Sequence, residues 1–316
     1  MKVLVTGGAG FIGTNLVNKL IRDGHEVVVM DDMFLGRPDN LSDLPKRKLK
    51  LIRASVTDYA TVLNASKGCD AIFHLAARSS APICEDDPRD ATNVNVGGFV
   101  NVLQAAKFHG IKKVIYASTS SLYNGMAPPH REDMQVTPKT VYEATMYARE
   151  IYARMYYESY GIEAVGMRFF SVYGPYEKHK QQYANVITQF LWAVMNGEQP
   201  VIYGDGTQTR DFIFVDDVVD AMIKAMYADD VGGEVFNVGT GTSHTFNDVI
   251  ELISKVTGLD VKPKYIPNPI RRYVYHTRAD IRKAKKYLGF RARTTLHNGI
   301  KMLYSFYSST TNGGEQ

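Results

Sequence analysis

Three glycines and an acid carry the first chemistry legible in this chain. Gly7, Gly10 and Gly13 stand in the opening run Met1-Lys-Val-Leu-Val-Thr-Gly-Gly-Ala-Gly-Phe-Ile-Gly13, and Asp31 lies 18 residues past Gly13. Glycines at this spacing let the backbone turn tightly and approach a pyrophosphate, while the amides of a following helix face its negative charge. An aspartate at this distance is placed to accept from the hydroxyls of an adenosine ribose. Asp31 would repel a 2′-phosphate, Asp32 adds to that, and Arg37 is the only nearby counterweight, so the pattern points to NAD. The elements needed to hold these residues are present. Residues 3–5 read as a buried strand. Phe11, Ile12, Leu16, Val17 and Leu20 recur at helical spacing, and residues 26–30 read as a second strand. A glycine-rich turn in an unrelated α/β domain is the bland alternative. It does not require strand, glycines, helix, strand and acid in that order.

Composition sets the frame. The chain has 316 residues, 45% hydrophobic and 22% charged, enough for one large domain or two unequal ones. A net charge of +4 is too small and dispersed to argue for nucleic acid. No apolar stretch reaches membrane-spanning length, and the opening reads as a core strand rather than a signal peptide. The two cysteines, Cys69 and Cys84, lack metal or redox spacing, which suits a reducing cytoplasm. Eight scattered histidines show no ligand spacing, so no metal is expected.

Strands near 51–53, 71–74, 113–117 and 164–168 alternate with helical stretches, notably 90–109 and 141–160. Such alternation predicts an α/β fold, a doubly wound parallel sheet whose ligands bind at the carboxyl ends of the strands. After Gly174-Pro175 the segments become smaller and more mixed. The division expected is an NAD-binding unit over 1–175, with a returning segment at about 211–232, and a smaller C-terminal α/β substrate unit over 176–316.

Several motifs in order give the chain a resemblance. They are Thr6-Gly-Gly-Ala-Gly-Phe-Ile-Gly13, His74-Leu-Ala-Ala77, Asn95-Val-Gly-Gly-Phe-Val-Asn101, Arg168-Phe-Phe-Ser-Val-Tyr-Gly-Pro175, Gly204-Asp-Gly-Thr-Gln-Thr-Arg210 and Phe236-Asn-Val-Gly239. On these the chain resembles the extended short-chain dehydrogenase/reductases, and within them the nucleotide-sugar epimerases and dehydratases, most of all the UDP-sugar 4-epimerases. The resemblance implies reversible oxidation of a sugar carbinol by NAD, with a tyrosinate taking the proton and a Ser or Thr hydroxyl sharing its path. Thr119 and Tyr142 match those groups. The resemblance also implies cofactor contacts at Gly7, Gly10, Phe11, Ile12, Gly13, Asp31, Asp32, Val56, Leu75, Ala76, Ala77, Asn95, Tyr142, Phe170 and Val172. Ser55 is expected at the cofactor too, holding the place where the family often has an acid facing the adenine; Asp58, three residues on, reads as a helix cap.

The largest departure is at Met146. The family pattern is Tyr-x-x-x-Lys, the lysine holding the nicotinamide ribose and lowering the tyrosine pKa. A free tyrosine has a pKa of about 10, so work near neutrality needs a shift of roughly 3 units. Methionine supplies neither the charge nor the hydrogen bond. No other base takes its place in the sequence pattern: Lys139 precedes the helix, and Arg149 is seven residues on, about two turns away. Three readings stand: a natural variant with a different proton path, a deliberately crippled chain, or a binding protein without turnover.

For substrate, the resemblance places Asn185, Val186 and Arg210 at the diphosphate and Tyr203 at the nucleobase, with Arg271 or Arg272 as a second arginine. Ser79, Ser120, Ser121 and Ser171 would meet the sugar. The related 4,6-dehydratases carry Asp-Glu after the threonine and the uronate decarboxylases a glutamate; Ser120 and Ser121 stand here instead, which favours simple 4-epimerisation. The small hydroxyls also suit a uronate, so UDP-glucose/UDP-galactose and UDP-glucuronate/UDP-galacturonate stand level. Lys178, His179 and Lys180 add positive charge nearby. The alternatives are a sensor of NAD or nucleotide sugar, and a nucleotide-ketosugar reductase. A homodimer through a four-helix bundle of the helices near 90–109 and 141–160 is expected from the family.

Overall fold

The computed structural model describes residues 1–270 and 273–312. Its first half alternates strand and helix: β1 (Lys2–Thr6), α1 (Phe11–Arg22), β2 (Glu26–Asp31), β3 (Leu49–Arg53), α2 (Tyr59–Ser66) and β4 (Ala71–His74). There follow α3 (Ala81–Asp86), α4 (Pro88–Thr92), α5 (Gly98–His109), β5 (Lys113–Thr119), α6 (Val141–Tyr160) and β6 (Glu163–Phe169). The second half contains β7 (Ser171–Tyr173), α7 (Val186–Met195), β8 (Val201–Tyr203), β9 (Thr209–Arg210), β10 (Phe212–Phe214) and α8 (Val215–Tyr227). It ends with β11 (Val235–Val238), β12 (His244–Thr245), α9 (Phe246–Thr257), β13 (Lys264–Ile266), α10 (Arg282–Leu288) and α11 (Leu296–Asn312).

The main sheet has seven parallel strands in the order β11-β6-β5-β4-β1-β2-β3. Its strands are apolar on both faces, as in Val3, Leu4 and Val5 of β1, because helices cover both sides. Helices α1 and α8 share one core with Val3, Val5 and Phe73. Helices α2, α5 and α6 pack the other face around Leu4, Ile72 and Phe99. This is the doubly wound α/β fold. Strand order reverses between β1 and β4, which opens a crevice at their carboxyl ends. A third core joins α7, α9 and α11 through Ile187, Phe190, Phe246 and Leu303. Three two-stranded sheets, β10-β7, β12-β9 and β13-β8, accompany it.

Two details differ from the sequence expectation. The helix expected over 90–109 is broken into α4, a π-helical turn at Asn93–Gly97, and α5. The turn carries Asn95 fully buried toward Arg78 and Thr145, and wide turns of this kind concentrate at functional sites. The main sheet also takes its last strand from Val235–Val238, beyond the returning segment bounded near 232. Four residues, Val235-Phe-Asn-Val238, are too short a run to announce an edge strand beside β6. Helix α6 runs over Val141–Tyr160, started by the Thr140 side chain on Glu143 N and ended by Gly161 at φ 66°. Among the described residues no helix is long and apolar enough to cross a membrane.

Candidate active site

A cavity of about 520 Å³ opens at the carboxyl ends of the main-sheet strands. Gly7, Gly10, Phe11, Ile12 and Gly13 form one wall. Gly7 has φ +71°, and a Cβ there would stand 2.6 Å from Ala76 N, so the turn admits only glycine. A Cβ on Gly13 would collide with the Gly7 carbonyl oxygen. The turn therefore presses the start of α1 against the strand ends and leaves its amides facing the cavity. Asp31, at the tip of β2, lines the same wall and is 6% exposed. Its carboxylate accepts from Ala9 N at 3.0 Å and Met33 N at 2.8 Å. Burial pushes that carboxyl above the usual range, and the two amides oppose the push. Asp32 is bound by Arg78 Nη1 at 2.9 Å, and Arg78 Nε reaches Asp90 at 2.5 Å. The Arg78 guanidinium also lies 4.0 Å from the centre of the Phe34 ring.

Thr119 ends β5 and Tyr142 opens α6, and both line the cavity, with Thr119 near enough to influence the Tyr142 hydroxyl. Thr119 Oγ1 accepts from Ser121 N at 3.1 Å, so it caps the following turn as well. Burial pushes the Tyr142 hydroxyl above its ordinary range; Thr119 and the charge of Arg149 pull it back. Met146 lines the cavity one turn further along α6 and is 1% exposed. Lys139 does not replace a lysine there: its Nζ donates to Asn124 O at 2.8 Å. Arg149, set aside at two turns' distance on the sequence pattern, is fully buried and electrostatically coupled to Tyr142.

Behind this pair, a buried polar network locks β5 to α6. Arg168 donates to Glu150 from Nε at 2.9 Å and Nη2 at 2.6 Å, and Ser118 Oγ donates to Glu150 Oε1 at 2.5 Å. Arg168 Nη1 donates to the Tyr123 hydroxyl at 2.7 Å, which donates to Asn237 Oδ1 at 2.8 Å. Burial pulls the Arg168 pKa down, but its bonds to Glu150 and Tyr123 hold it above the ordinary value.

A family model, the NAD dependent epimerase/dehydratase family, matches residues 3–239. The chain belongs to that family. Its members are NAD-dependent enzymes, and NAD is its cofactor. The chain is 37% identical over 311 residues to a UDP-glucose 4-epimerase of Mycolicibacterium smegmatis, covering 97% of this chain and 98% of that one. It is 32% identical to a UDP-glucuronate 4-epimerase of Thermodesulfobacterium geofontis, over 94% and 93% of the two chains. A solved UDP-glucose 4-epimerase of Thermotoga maritima with UDP-glucose superposes with a TM-score of 0.91 at 32% identity, over 98% and 100%.

The cavity suits the cofactor of this epimerase family. The turn at Gly7 is a cradle that a Cβ would fill, and Asp31 stands at its adenosine end as a buried carboxylate. Of the residues expected at the cofactor, Asp32, Val56, Leu75, Ala76, Ala77, Phe170 and Val172 also line it. Ser55 does not; its Oγ accepts from Thr57 N at 3.2 Å and Thr57 Oγ1 at 2.9 Å, while Asp58 caps α2. Asn95 lies behind the wall, its side chain spent on Arg78 N at 2.8 Å and Thr145 Oγ1 at 3.0 Å. The expected sugar-facing residues Ser79, Ser120, Ser121 and Ser171 line the cavity. Asn185, Val186, Tyr203 and Arg210 lie outside its lining, and Arg271 and Arg272 fall outside the described residues. Asn185 caps α7 at Ile187 N and donates to Val172 O at 3.0 Å. Tyr203 is exposed at the end of β8.

Sequence reasoning missed Arg78 and Phe34, which line the cavity beside Asp32. Arg78 directly follows the His74-Leu-Ala-Ala77 run, which was the available signal. His179 and Lys180 line the cavity and Lys178 does not; burial first, then Arg37 and Lys178, lower the His179 pKa, so Lys180 is the one of the three that brings a charge to the site near neutrality. Lys180 Nζ lies 5.3 Å from the Phe11 ring centre and 3.3 Å from Glu177 Oε1.

Proposed function

We propose that this chain interconverts the C4 epimers of a UDP-sugar, UDP-glucose and UDP-galactose first. The carrying observation is that Thr119 and Tyr142 stand together in the cavity that also holds the glycine turn and Asp31. When bound, NAD supplies the oxidant for the C4 carbinol and the reductant for the ketone. Gly7, Gly10 and Gly13 hold the pyrophosphate against the α1 amides, and Asp31 accepts from the ribose hydroxyls. Tyr142 Oη takes the proton of the C4 hydroxyl and returns it, and Thr119 Oγ1 shares that proton path. Elimination of water lacks its acid: Ser120 and Ser121 follow Thr119, and Glu143 Oε2 is occupied by Lys139 N at 2.6 Å.

Arg210 supports a diphosphate site further out. Its guanidinium lies 5.2 Å from the Tyr273 ring and 5.5 Å from that of Phe246, and no carboxylate pairs with it among the described residues. We assign the UDP end to Arg210, Asn185, Val186 and Tyr203, with Arg271 and Arg272 beside them. The serines at 79, 120, 121 and 171 favour UDP-glucuronate as the second sugar. We assign the NAD unit to residues 1–175 plus the returning segment carried on through β11, and the sugar-nucleotide end to the rest of 176–316. The exposed Phe108, Ile151, Met155, Tyr157 and Tyr160 on α5 and α6 support a homodimer through these helices. Buried free thiols at Cys69 and Cys84 suit the cytoplasm.

The test incubates the holoprotein with UDP-glucose and, separately, UDP-glucuronate, and follows the C4 epimers by NMR. Equilibration of either pair without net consumption of reduced cofactor supports the reading. Steady NADPH consumption would favour a ketosugar reductase, and binding without turnover a sensor.

A further inference from the structure

Among the described residues Arg149 is the largest fully buried side chain, and it is a charged one. Buried guanidinium groups normally meet a carboxylate, because an unpaired charge in a low dielectric is costly. Arg149 meets none among the described residues. Its Nε donates to Asn95 O at 2.7 Å, Nη1 to Ala117 O at 3.3 Å and Nη2 to Ala76 O at 2.8 Å. Ala76 and Ala117 line the cavity and Arg149 does not, so the guanidinium sits one layer beneath the cavity floor. Seven residues along a helix return to nearly the same face, and helical side chains lean toward the N-terminus. Arg149 therefore reaches back past Met146 toward Tyr142. No anion offsets the charge: burial pushes the nearby Tyr142 and Tyr116 phenols and the Cys84 thiol up, so all three are neutral near neutrality.

We propose that Arg149 supplies to Tyr142, from beneath the cavity floor, the positive charge that position 146 lacks. It is a positioning residue that acts through Tyr142 and touches neither sugar nor cofactor. The assignment rests on the epimerase reading for the role of Tyr142. It also divides the two duties of the absent lysine. The charge is restored, while the ribose hydrogen bond is not, since the guanidinium lies beneath the cavity floor and donates to main-chain carbonyls there. Burial pulls the Arg149 pKa down to about 10, which leaves it charged near neutrality. The groups facing Tyr142 are Thr119 on β5, Glu143 and Arg149 on α6, and Cys84 on α3. Arg149 is the only cation among them, and His74, packed beneath the same floor, is held neutral by burial and by this charge.

The test compares the holoprotein, Arg149→Met and the double variant Arg149→Met with Met146→Lys. Two readouts are taken on each: the pH dependence of kcat for the epimerised UDP-sugar, and ultraviolet titration of the Tyr142 phenolate. The phenolate is isolated from the 20 tyrosines by subtracting the matching Tyr142→Phe protein. Removing an opposite charge at close range raises a pKa by about 1 to 3 units. Arg149→Met should move both midpoints up by that amount, and the added Met146→Lys change should bring them back. Melting temperature and NAD content separate a folding defect from this effect. Unchanged midpoints in Arg149→Met, or a shift that Met146→Lys does not reverse, overturn the proposal. If Arg149→Met does not fold, Arg149→Gln, which keeps donors to the carbonyls but not the charge, decides: an unchanged Tyr142 midpoint in that variant refutes it. Absence of turnover in the natural chain counts against the epimerase reading, while the titration still reads the charge.

Discussion

Replacing Glu150 by Gln should unlock the network that holds β5 against α6. Arg168 is 3% and Glu150 8% exposed, and two hydrogen bonds join them. Glutamine keeps the shape but accepts on one atom only, and turns an NH₂ toward a guanidinium that only donates. Breaking one side of a buried pair costs about 3–5 kcal/mol, because the remaining charge stays buried without a partner. For a chain of 316 residues the unfolding entropy near the midpoint is about 0.7 kcal/mol/K, so the melting temperature should fall by about 4–8 °C. Differential scanning calorimetry of the apo protein reads this directly. The double variant Glu150→Leu/Arg168→Met removes both charges and should recover most of the loss. Ser118 precedes Thr119, and Glu150 lies eight residues past Tyr142 on α6, so the same change should also loosen the catalytic pair. A misplacement on the order of 1 Å lowers kcat by up to about a hundredfold. A loss below about 1 kcal/mol in Glu150→Gln, or a double variant as unstable as the two singles added, refutes the reasoning.

Three further outcomes follow from the same geometry. Gly7→Ala places a Cβ 2.6 Å from Ala76 N at φ +71°; the protein should lose about 1–2 kcal/mol or more of stability and purify with less NAD, read by calorimetry and by cofactor content. Arg78→Ala removes bonds to Asp32 and Asp90, so NAD affinity by titration calorimetry should fall by about tenfold or more, charged hydrogen bonds being worth about 1.5–3 kcal/mol. His74 is fully buried, bonded at Nδ1 to Thr6 Oγ1 at 2.8 Å, with its pKa well below the ordinary value because of burial first and Arg149 second. Its unfolded form takes up a proton below about pH 6.5 and its folded form does not. Stability is therefore present above that pH and lost as pH falls, at about 1.4 kcal/mol per unit. Urea unfolding across this range should show a shallower slope for His74→Gln than for the natural chain.

The fold was legible because its signals are local. The turn at Gly7 needs a residue of positive φ, and β1, β4 and β5 are apolar runs of fixed length, so both survive in one dimension. The Thr119 and Tyr142 pair was legible only through the family motif, since each residue alone has an ordinary structural use, and Thr119 does cap a turn. Arg149 was set aside on its distance along the chain, and a count of residues does not show that seven positions on a helix return to nearly the same face. Arg78 and Asn95 were unreadable in a different way. Their partners, Asp32, Asp90 and Thr145, come from other elements, and a contact between distant segments leaves no periodic trace. Asn185 kept its place in the motif, but its side chain is committed to capping α7, which spacing does not reveal.

The central claim is that Tyr142 Oη moves the proton of a sugar hydroxyl in an NAD-dependent 4-epimerase. The most direct measurement is C4 epimer formation by NMR, with the natural chain and Tyr142→Phe at matched NAD content and matched UDP-sugar saturation. The account predicts equilibration by the natural chain and a loss of about 10²–10⁴ in kcat for the variant, with folding and ligand affinity retained. Equal turnover by the two proteins would contradict it.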